Sequence, residues 1–278
     1  MGRQAAVIGS PVAHSLSPVL HNAAFEALGL TSWSYTRIEC VANDVPALVH
    51  GLDESWAGLS VTMPNKRAAL AVASVPTSRA SLVGAANTLV PSEAGWVADC
   101  TDVDGVVGAL RANGFTTGST ALLLGAGGTA TAALVGLASV GVRSATLVVR
   151  STARAGEAVD CAVRAGVELT LVPWHEADFG ALASTSDVLV STVPPAATEP
   201  VADELALAPF ALDVIYHPWP TPLALAVGKR GNALATGLDM LLHQAFGQSE
   251  QFTGRPAPRE AMRAALRAAT GDLLPLPL

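Results

Sequence analysis

Charged and aromatic residues are scarce in this chain of 278 residues. Asp, Glu, Lys and Arg make up 14% of it and Phe, Trp and Tyr 5%, whereas hydrophobic residues make up 50%. This composition excludes a disordered chain and suits a compact α/β protein, for which this length favours two domains. The formal net charge is −7 with no cluster of Lys or Arg, which argues against nucleic-acid binding. We therefore expect small molecules as partners.

Cysteine is also rare, since Cys40, Cys100 and Cys161 are the only ones. Their odd number and wide spacing predict neither a disulfide framework nor a metal site, but the reduced thiols of a cytoplasmic protein. The first residues lack the apolar core of a signal peptide, which agrees with a cytoplasmic location. Residues 120–142 carry no charge, but a glycine-rich turn interrupts them and argues against a membrane-spanning helix.

That glycine-rich turn is the clearest local pattern. An apolar run over residues 120–124 stops at Gly125 and Gly127 and resumes as a second apolar run from Ala130. This predicts a buried strand, a tight turn and a helix, the phosphate-binding pattern G-x-G-x-x-G/A of dinucleotide folds. By itself the pattern also fits a turn that binds nothing.

Two arginines follow the next predicted strand, residues 145–150. Dinucleotide folds that bind NAD carry an acidic residue near this position, whereas this chain has Arg150 and Arg154. Arginine offers paired donors to a 2′-phosphate, so the sequence favours NADP over NAD, with isolated surface arginines as the alternative. Further strands are predicted at residues 167–172, 188–192, 211–216 and 233–237.

Strands and helices also alternate through the first hundred residues. Ser17 is predicted as the N-cap of a helix with Pro18 at its first position, and Asn43 as the cap of a helix over residues 44–52. Lys66 lies in the first turn of a helix after a strand at residues 59–62, and Asp102 opens another helix. Each of these residues has an ordinary structural explanation, because caps, exposed lysines and acidic first turns are common.

The region between residues 83 and 98 predicts a hairpin, and the last forty residues predict two helices. A strand over residues 83–90 is followed by a tip at 92–95 and a strand at 96–98. Helices are predicted at 238–252 and 258–269, with a loose tail at 273–278. The apolar spacing of the first of these helices puts Gln244 towards a solvated edge.

Seven segments together resemble the shikimate dehydrogenase family, in the family's order and over nearly the whole chain. They are Gly9-x-Pro11-x-x-His14-Ser15-x-Ser17-Pro18, Val61-Thr62-x-Pro64-x-Lys66, Gly84-Ala85-x-Asn87-Thr88, Thr101-Asp102-x-x-Gly105, Gly125-Ala126-Gly127-Gly128, Asp213-x-x-Tyr216-x-Pro218-x-x-Thr221-Pro222-Leu223 and Gly237-x-x-Met240-Leu241-x-x-Gln244. The resemblance implies two α/β domains with an active-site cleft between them. The substrate-binding and catalytic domain would span residues 1–103, a Rossmann-like NADP domain 104–237, and C-terminal helices returning to the first domain 238–278.

The implied activity is the reversible NADPH-dependent reduction of 3-dehydroshikimate to shikimate, on the route to chorismate and the aromatic amino acids. Lys66 and Asp102 would form the catalytic pair at the carbonyl and also contact the substrate. The other implied substrate contacts are Ser15 and Ser17 at the carboxylate and Thr62, Asn87, Tyr216 and Gln244 at the ring hydroxyls. The enzyme would act as a monomer or homodimer.

The resemblance also assigns the cofactor contacts. The pyrophosphate would lie at Gly125, Ala126, Gly127, Gly128, Thr129 and Ala130, the 2′-phosphate at Arg150, Ser151 and Arg154, and the nicotinamide beside Thr192, Val193, Val214 and Gly237.

The chain departs from the family pattern in four places. In the cofactor region Val149-Arg150-Ser151 stands for the usual Asn-Arg-Thr, and Ser191-Thr192-Val193-Pro194-Pro195 for Asn-x-Thr-x-x-Gly; the other two places are beside the implied substrate site. Ser60 and Cys100 stand where the family commonly has Asn, and Cys100 would be an oxidation-sensitive thiol if it were exposed. One rival interpretation is a paralogue that oxidises quinate or an amino analogue of shikimate, with NAD as a possible cofactor. Another is a catalytically silent ligand-binding regulator, which would be expected to lack Lys66 or Asp102.

Overall fold

The computed structural model describes residues 2–278, which divide into two compact units. The first unit runs to Thr101 and resumes at Leu241, and the second comprises Asp102–Met240. Each unit has its own six-stranded sheet with helices between the strands. The predicted α/β class is confirmed. The roles predicted for residues 1–103, 104–237 and 238–278 stay predictions.

The sheet of the first unit is mixed. Its strands are β1 Gln4–Gly9, β2 Ser34–Glu39, β3 Trp56–Val61, β4 Val75–Pro76, β5 Thr88–Ser92 and β6 Gly95–Asp99, in the order β2-β1-β3-β5-β6-β4. β1 is parallel to β2 and β3, whereas β5 is antiparallel to β3 and β6. The helices are α1 Ser17–Ala27, α2 Val45–His50, α3 Lys66–Val72 and α4 Ser78–Val83. The hairpin predicted around residues 92–95 is the β5–β6 connection.

Three local predictions in this unit are wrong. Leu16, not Ser17, is the N-cap of α1, because the Leu16 carbonyl accepts the first helical hydrogen bonds. Asn43 lies in a short 3-10 turn, and α2 begins only at Val45. The strand predicted from residue 83 begins at Thr88, because the Thr77 hydroxyl caps α4, a helix that the sequence analysis missed.

The sheet of the second unit is entirely parallel. Its strands are β7 Thr120–Leu124, β8 Ser144–Val149, β9 Glu168–Pro173, β10 Val188–Ser191, β11 Phe210–Asp213 and β12 Ala233–Thr236, in the order β12-β11-β10-β7-β8-β9. The helices are α5 Asp102–Ala112, α6 Gly128–Ser139, α7 Gly156–Ala165, α8 Phe179–Ser184, α9 Pro195–Thr198, α10 Ala202–Leu205 and α11 Pro222–Arg230. From β7 the strand order runs outwards to β8 and β9 on one side and to β10, β11 and β12 on the other. This is the strand order of the Rossmann fold.

The second sheet explains why residues 120–142 are apolar and carry no charge. Leu122, Leu123 and Leu124 of the central strand are fully buried. β11 ends earlier than predicted, at Asp213, because the Asp213 carboxylate accepts the Ile215 amide at 3.3 Å and turns the chain. Within residues 2–278, no helix combines the length and apolar character needed to cross a membrane.

Two helices end the chain, α12 Gly237–Thr253 and α13 Arg259–Ala269. α12 begins in the second unit and belongs to the first from Leu241 onwards. α13 packs against α1, with Met262 and Leu266 fully buried. The prediction of a loose tail at residues 273–278 is wrong in part, because Leu276 is fully buried although Leu273 is half exposed.

Gly58 of β3 lets α12 lie close to the first sheet. A Cβ at this position would overlap the Phe252 ring of α12 and stand 2.7 Å from the Leu89 carbonyl oxygen. We therefore expect Gly58→Ala to lower the free energy of unfolding by about 1–3 kcal/mol, because a backbone atom cannot give way as a flexible side chain can. Urea denaturation measures this.

Gly51→Ala is the matched control in the same unit. A Cβ at Gly51 has only ordinary contacts, 3.5 Å or more away, so we expect a change within about 0.5 kcal/mol. Equal stabilities of the two variants would contradict the close packing of α12 on β3.

Candidate active site

Three buried polar side chains meet in the first unit. Asn87 Nδ2 donates to Thr101 Oγ1 at 2.9 Å and to Gln244 Oε1 at 3.2 Å. Their exposed fractions are 2% for Asn87, 0% for Thr101 and 6% for Gln244. The prediction that Gln244 is solvated is therefore wrong, because its face of α12 packs against the first unit. Amides buried in this way are held in a defined orientation and can recognise a polar ligand.

The register of the β5–β6 hairpin brings Asn87 and Thr101 together. The Asn87 amide donates to the Asp99 carbonyl at 3.0 Å, which places Asn87 opposite the end of β6. The Thr101 amide then donates to Asn87 Oδ1 at 2.8 Å. Two residues fourteen positions apart thus share one polar cluster.

The carboxylate of Asp99 stabilises the backbone next to this cluster. It accepts hydrogen bonds from Arg79, from Thr77 Oγ1 at 2.8 Å, from Gln251 Nε2 at 2.7 Å and from the Cys100 amide at 2.8 Å. Burial raises the pKa of Asp99, but Arg79, Thr77 and the Cys100 amide outweigh burial and hold that pKa below its ordinary value. Asp99 therefore stays ionised and fixes the backbone that leads to Thr101.

The two serines predicted to hold a carboxylate lie together at the start of α1, whose first residue is Ser17. Ser15 Oγ accepts the Ser17 amide at 3.3 Å, and Ser17 is buried. The Ser15 carbonyl accepts from Arg37 Nε at 3.0 Å and from the Arg37 NH2 group at 2.6 Å. Arg37, which the sequence analysis did not single out, thus holds the segment that carries both hydroxyls.

Thr62 and Lys66 follow β3. The Thr62 amide donates to the Ile8 carbonyl at 2.9 Å, and Gly9 leaves room for the Thr62 methyl group, which a Cβ would overlap. Lys66 is the first residue of α3, as its predicted place in the first helical turn requires. Its carbonyl accepts the Ala86 amide at 2.9 Å, so the backbone of Lys66 is tied to the residue that precedes Asn87.

The remaining substrate candidates belong to the second unit. Asp102 is the first residue of α5 and is buried, where the helix dipole favours a negative charge. Tyr216 is half-buried, and burial raises its pKa above the ordinary value, so its phenol remains a hydrogen-bond donor. A Cβ on Gly237 would overlap the Val214 carbonyl and stand 3.0 Å from the Tyr216 ring. Glycine at position 237 is therefore needed for this packing.

The glycine turn has the geometry of a phosphate-binding turn. Gly125 has φ +94°, and a Cβ there would come within 2.6 Å of Thr192 Oγ1 and 3.0 Å of Val193 Cγ1. Gly127 is the N-cap of α6, and a Cβ at Gly127 would have no neighbour within 4 Å among the described residues. No side chain of residues 2–278 caps this helix, so the amides of its first turn have no side-chain acceptor, as at a helix N-terminus that binds a phosphate group.

The other residues of the turn complete its packing. Ala126, Gly128 and Thr129 are half-buried, whereas Ala130 is fully buried. Thr192 Oγ1 donates to the Leu124 carbonyl at 2.7 Å, which joins the ends of β7 and β10. The structure therefore brings the glycines together with Thr192 and Val193.

Arg150 and Arg154 lie beyond the carboxyl end of β8, the strand next to β7. Arg150 and Ser151 follow the strand directly. Arg154 ends a short 3-10 turn, and its amide donates to the Ser151 carbonyl at 3.2 Å. Both arginine side chains are exposed, and within residues 2–278 neither guanidinium has a hydrogen bond or ion pair. Their donors are thus available to an anionic ligand at the edge where the glycine turn lies.

Some residues of the site were missed. Thr101 appeared only within a motif, and Ser60, Asp99 and Gln248 were not assigned a role. One signal could have revealed part of this set: Gln244, Gln248 and Gln251 recur at spacings of four and three, which places all three amides on one helix face. Cys100 is fully buried, so the exposure required for the expected oxidation sensitivity is not met.

These features define a class of protein. A parallel sheet in this strand order, with a glycine turn after its central strand and arginines after the next strand, forms a Rossmann-type dinucleotide-binding unit. The same chain carries an α/β unit with a buried cluster of amides and hydroxyls. It is a two-unit α/β protein with one nucleotide-binding unit.

The chain belongs to the shikimate dehydrogenase family. The family profile described as the shikimate dehydrogenase substrate binding domain matches residues 7–89, and that described as the shikimate 5′-dehydrogenase C-terminal domain matches residues 237–267. The shikimate dehydrogenase (NADP(+)) of Methylobacterium radiotolerans is 38% identical over 267 residues, which cover 92% of this chain and 93% of the relative.

Solved structures show the same similarity. Mycobacterium tuberculosis shikimate dehydrogenase is 52% identical with a TM-score of 0.91, over 96% of this chain and 99% of the other. The quinate dehydrogenase of Corynebacterium glutamicum in complex with NAD is 26% identical with a TM-score of 0.85, over 96% and 99%. The fold is thus shared with both, whereas the sequence is much closer to the first.

The ion pair of Asp99 gives a prediction for pH dependence. Because its pKa is lowered in the folded protein, its contribution to stability is complete above the ordinary carboxyl pKa of about 3.9 and is lost as pH falls through the lower native value. We expect Asp99→Asn to cost roughly 2 kcal/mol of unfolding free energy at pH 7 and to flatten the acid decline below about pH 4. Urea denaturation at pH 7 and at a series of pH values from about 4 downwards measures both.

The control is Glu54→Gln, since Glu54 is an exposed carboxylate in the same unit. In this variant the free energy of unfolding should fall with decreasing pH as it does in the parent protein. An Asp99→Asn variant with the same decline as the parent would show that Asp99 is not held ionised by its partners.

Proposed function

We propose that this protein catalyses the reversible NADP-dependent interconversion of shikimate and 3-dehydroshikimate. The observation that carries the proposal is the similarity to proteins named shikimate dehydrogenase (NADP(+)) over more than nine tenths of the chain. The buried amide cluster and the open turn at Gly125 fit a polyhydroxylated substrate and a dinucleotide. Action as a monomer or homodimer and a cytoplasmic location stay predictions from the sequence.

Lys66 and Asp102 are the catalytic pair of this proposal. NADP, when bound, would supply the hydride for the carbonyl carbon and would take it back in the reverse direction. As hydride arrives, negative charge develops on the carbonyl oxygen, and the Lys66 ammonium stabilises it and provides a proton. The Asp102 carboxylate holds that ammonium in place. In the reverse direction the neutral amine accepts the proton of the hydroxyl.

The substrate is held by neutral hydrogen-bonding groups. Ser15 and Ser17 donate their hydroxyl protons to the substrate carboxylate, and Thr62, Asn87, Tyr216 and Gln244 bind the ring oxygens. A buried amide that loses its ligand partner remains desolvated without compensation, so substrates that lack a matching hydroxyl are disfavoured. Asn87 and Gln244 are both buried, which supports a role for them in specificity.

The cofactor is held by the glycine turn and the two arginines. The first amides of α6 bind the pyrophosphate at residues 125–130, and Thr192, Val193, Val214 and Gly237 line the nicotinamide side. Arg150 and Arg154, with Ser151 between them, bind the 2′-phosphate that distinguishes NADP from NAD. The exposure of both guanidiniums supports this assignment.

The rival interpretations have less support. The quinate dehydrogenase shares the fold but only half of the sequence identity of the mycobacterial shikimate dehydrogenase, 26% against 52%. A silent regulator would be expected to lack one of the catalytic pair, and Lys66 and Asp102 are both present.

Initial rates with shikimate and quinate, each with NADP⁺ and with NAD⁺, test the proposal. We expect kcat/KM to be highest for shikimate with NADP⁺. With NAD⁺ it should be at least about tenfold lower, because the lost charged contact to the 2′-phosphate costs about 1.4 kcal/mol or more, and with quinate it should also be lower. A preference for quinate with NAD⁺ would contradict the proposal in both substrate and cofactor.

Lys66→Gln tests the catalytic pair. Glutamine keeps much of the side-chain length but removes the transferable proton and the charge, so we expect kcat to fall about 10²- to 10⁴-fold while KM for NADP⁺ changes little. The control is Arg67→Gln, the exposed neighbouring cation, which should retain normal kcat. Full turnover by Lys66→Gln would remove Lys66 from the mechanism even if the substrate assignment held.

A further inference from the structure

The side-chain amide of Asn87 has a fixed orientation. Its oxygen accepts hydrogen bonds from Thr88 Oγ1 at 2.8 Å and from the Thr101 amide at 2.8 Å, and Thr101 Oγ1 lies 3.2 Å from it. The two shorter bonds occupy both lone pairs. A rotation that exchanged the oxygen and nitrogen would set Asn87 Nδ2 against the Thr101 N–H, donor against donor. Nδ2 is therefore the atom of Asn87 that faces the cluster, where it bonds to Thr101 Oγ1 and Gln244 Oε1.

Gln248 of α12 supports both ends of Asn87. Its Nε2 donates to the Asn87 carbonyl at 2.9 Å and to Thr88 Oγ1 at 3.1 Å. Because Thr88 accepts this bond, its own proton is directed to Asn87 Oδ1. Gln248 thus acts on the main chain of Asn87 directly and on its side chain through one hydroxyl.

The amide of Gln248 is itself held on its oxygen side. Oε1 accepts from Ser60 Oγ at 2.8 Å and lies 3.3 Å from His21 Nε2, while the Tyr35 hydroxyl donates to Ser60 at 2.6 Å. With two bonds on each end, the amide of Gln248 uses its full capacity. Gln248 is only 2% exposed, so water does not compete for these bonds.

His21 and Tyr35, which lie on the oxygen side of the Gln248 amide, are both neutral and both act as hydrogen-bond donors. Burial lowers the pKa of His21 to about 4, so its ring is uncharged at neutral pH. His21 Nδ1 has no hydrogen-bond partner among residues 2–278, which assigns the single ring proton to Nε2. Burial also raises the pKa of Tyr35, which therefore remains a donor. Hydrogen bonds thus run from Tyr35 through Ser60, Gln248 and Thr88 to Asn87.

We infer that Gln248, acting through Thr88, is a positioning residue that orients the amide of Asn87 so that Nδ2 faces the cluster. There a ligand oxygen takes the place of Gln244 Oε1, the more distant of its two acceptors at 3.2 Å. The inference deepens the proposed function, on which it rests for the identity of that ligand as shikimate. Ser60 acquires a role within it. Its hydroxyl donates to Gln248 Oε1. The sequence alone did not explain why serine stands here instead of the family's usual Asn.

The chain of hydrogen bonds is tested by two substitutions of similar size. Thr88→Val keeps the shape of the side chain and removes the donor to Asn87, and Gln248→Met removes all four bonds of the amide. For each we expect KM for shikimate to rise roughly tenfold, with KM for NADP⁺ unchanged, because the Asn87 amide is then held by fewer hydrogen bonds and is oriented less strictly. Thr88→Ser keeps the hydroxyl and should restore a nearly normal KM.

Ser249→Ala is the matched control. Ser249 follows Gln248 on α12 and is fully buried, but its hydroxyl has no hydrogen-bond partner among residues 2–278. Its loss should leave KM for shikimate unchanged. In the double variant of Thr88→Val with Gln248→Met the two effects should be less than additive, because both act on the same amide.

A second readout does not require catalysis. The side-chain amide signals of Asn87 in ¹⁵N NMR spectra, assigned by their loss in Asn87→Asp, should shift in Thr88→Val and Gln248→Met and not in Ser249→Ala. Unchanged signals, or an unchanged KM for shikimate in both variants of an active parent, would overturn the inference. A parent protein that does not turn over shikimate would instead overturn the proposed function, and the NMR comparison would still decide the role of Gln248.

Discussion

The first unit depends on the requirement that buried polar groups be paired. Asn87, Thr101, Gln244 and Gln248 are all less than 7% exposed, in a region where an unpaired amide would cost about 1–3 kcal/mol. Each therefore constrains its neighbours, and the cluster has few alternative arrangements. A site organised in this way can discriminate between ligand hydroxyls, because its groups do not reorient to accept a wrong partner.

Helix α12 supplies this cluster in an unusual way. An amphipathic helix normally turns apolar side chains towards its sheet at spacings of three and four, but here Gln244, Gln248 and Gln251 occupy such positions. They bind Asn87, Thr88 and Asp99 respectively. The helix is anchored nonetheless, because Phe252 packs in the apolar core of the first unit with Phe25 and Tyr35. Leu242, Ala245 and Phe246 of the same helix are buried as well, so several apolar side chains together stabilise the position of the three amides.

Local sequence patterns predicted what depends on neighbours in the chain. The strand, turn and helix at β7 and α6, Lys66 in a first helical turn, and Asp102 at a helix start all follow from periodicity and from residue preferences. The capping role of Ser17 failed because the Leu16 carbonyl accepts the first helical hydrogen bonds, so that Leu16 is the N-cap and Ser17 is the first residue of α1. The cluster of Thr101 and Gln248 could not be predicted, because it arises from the β5–β6 register and from the packing of a helix about 150 residues away in sequence.

The two departures from the family pattern beside the implied substrate site are subject to the same pairing requirement. An Asn removed from a buried polar region leaves its former partners unsatisfied unless another group replaces it. At position 60 the serine hydroxyl bonds both Tyr35 and Gln248. At position 100 the side chain is a fully buried thiol, which tolerates an apolar environment, while the backbone amide donates to Asp99. In this chain both residues are therefore compatible with their buried surroundings.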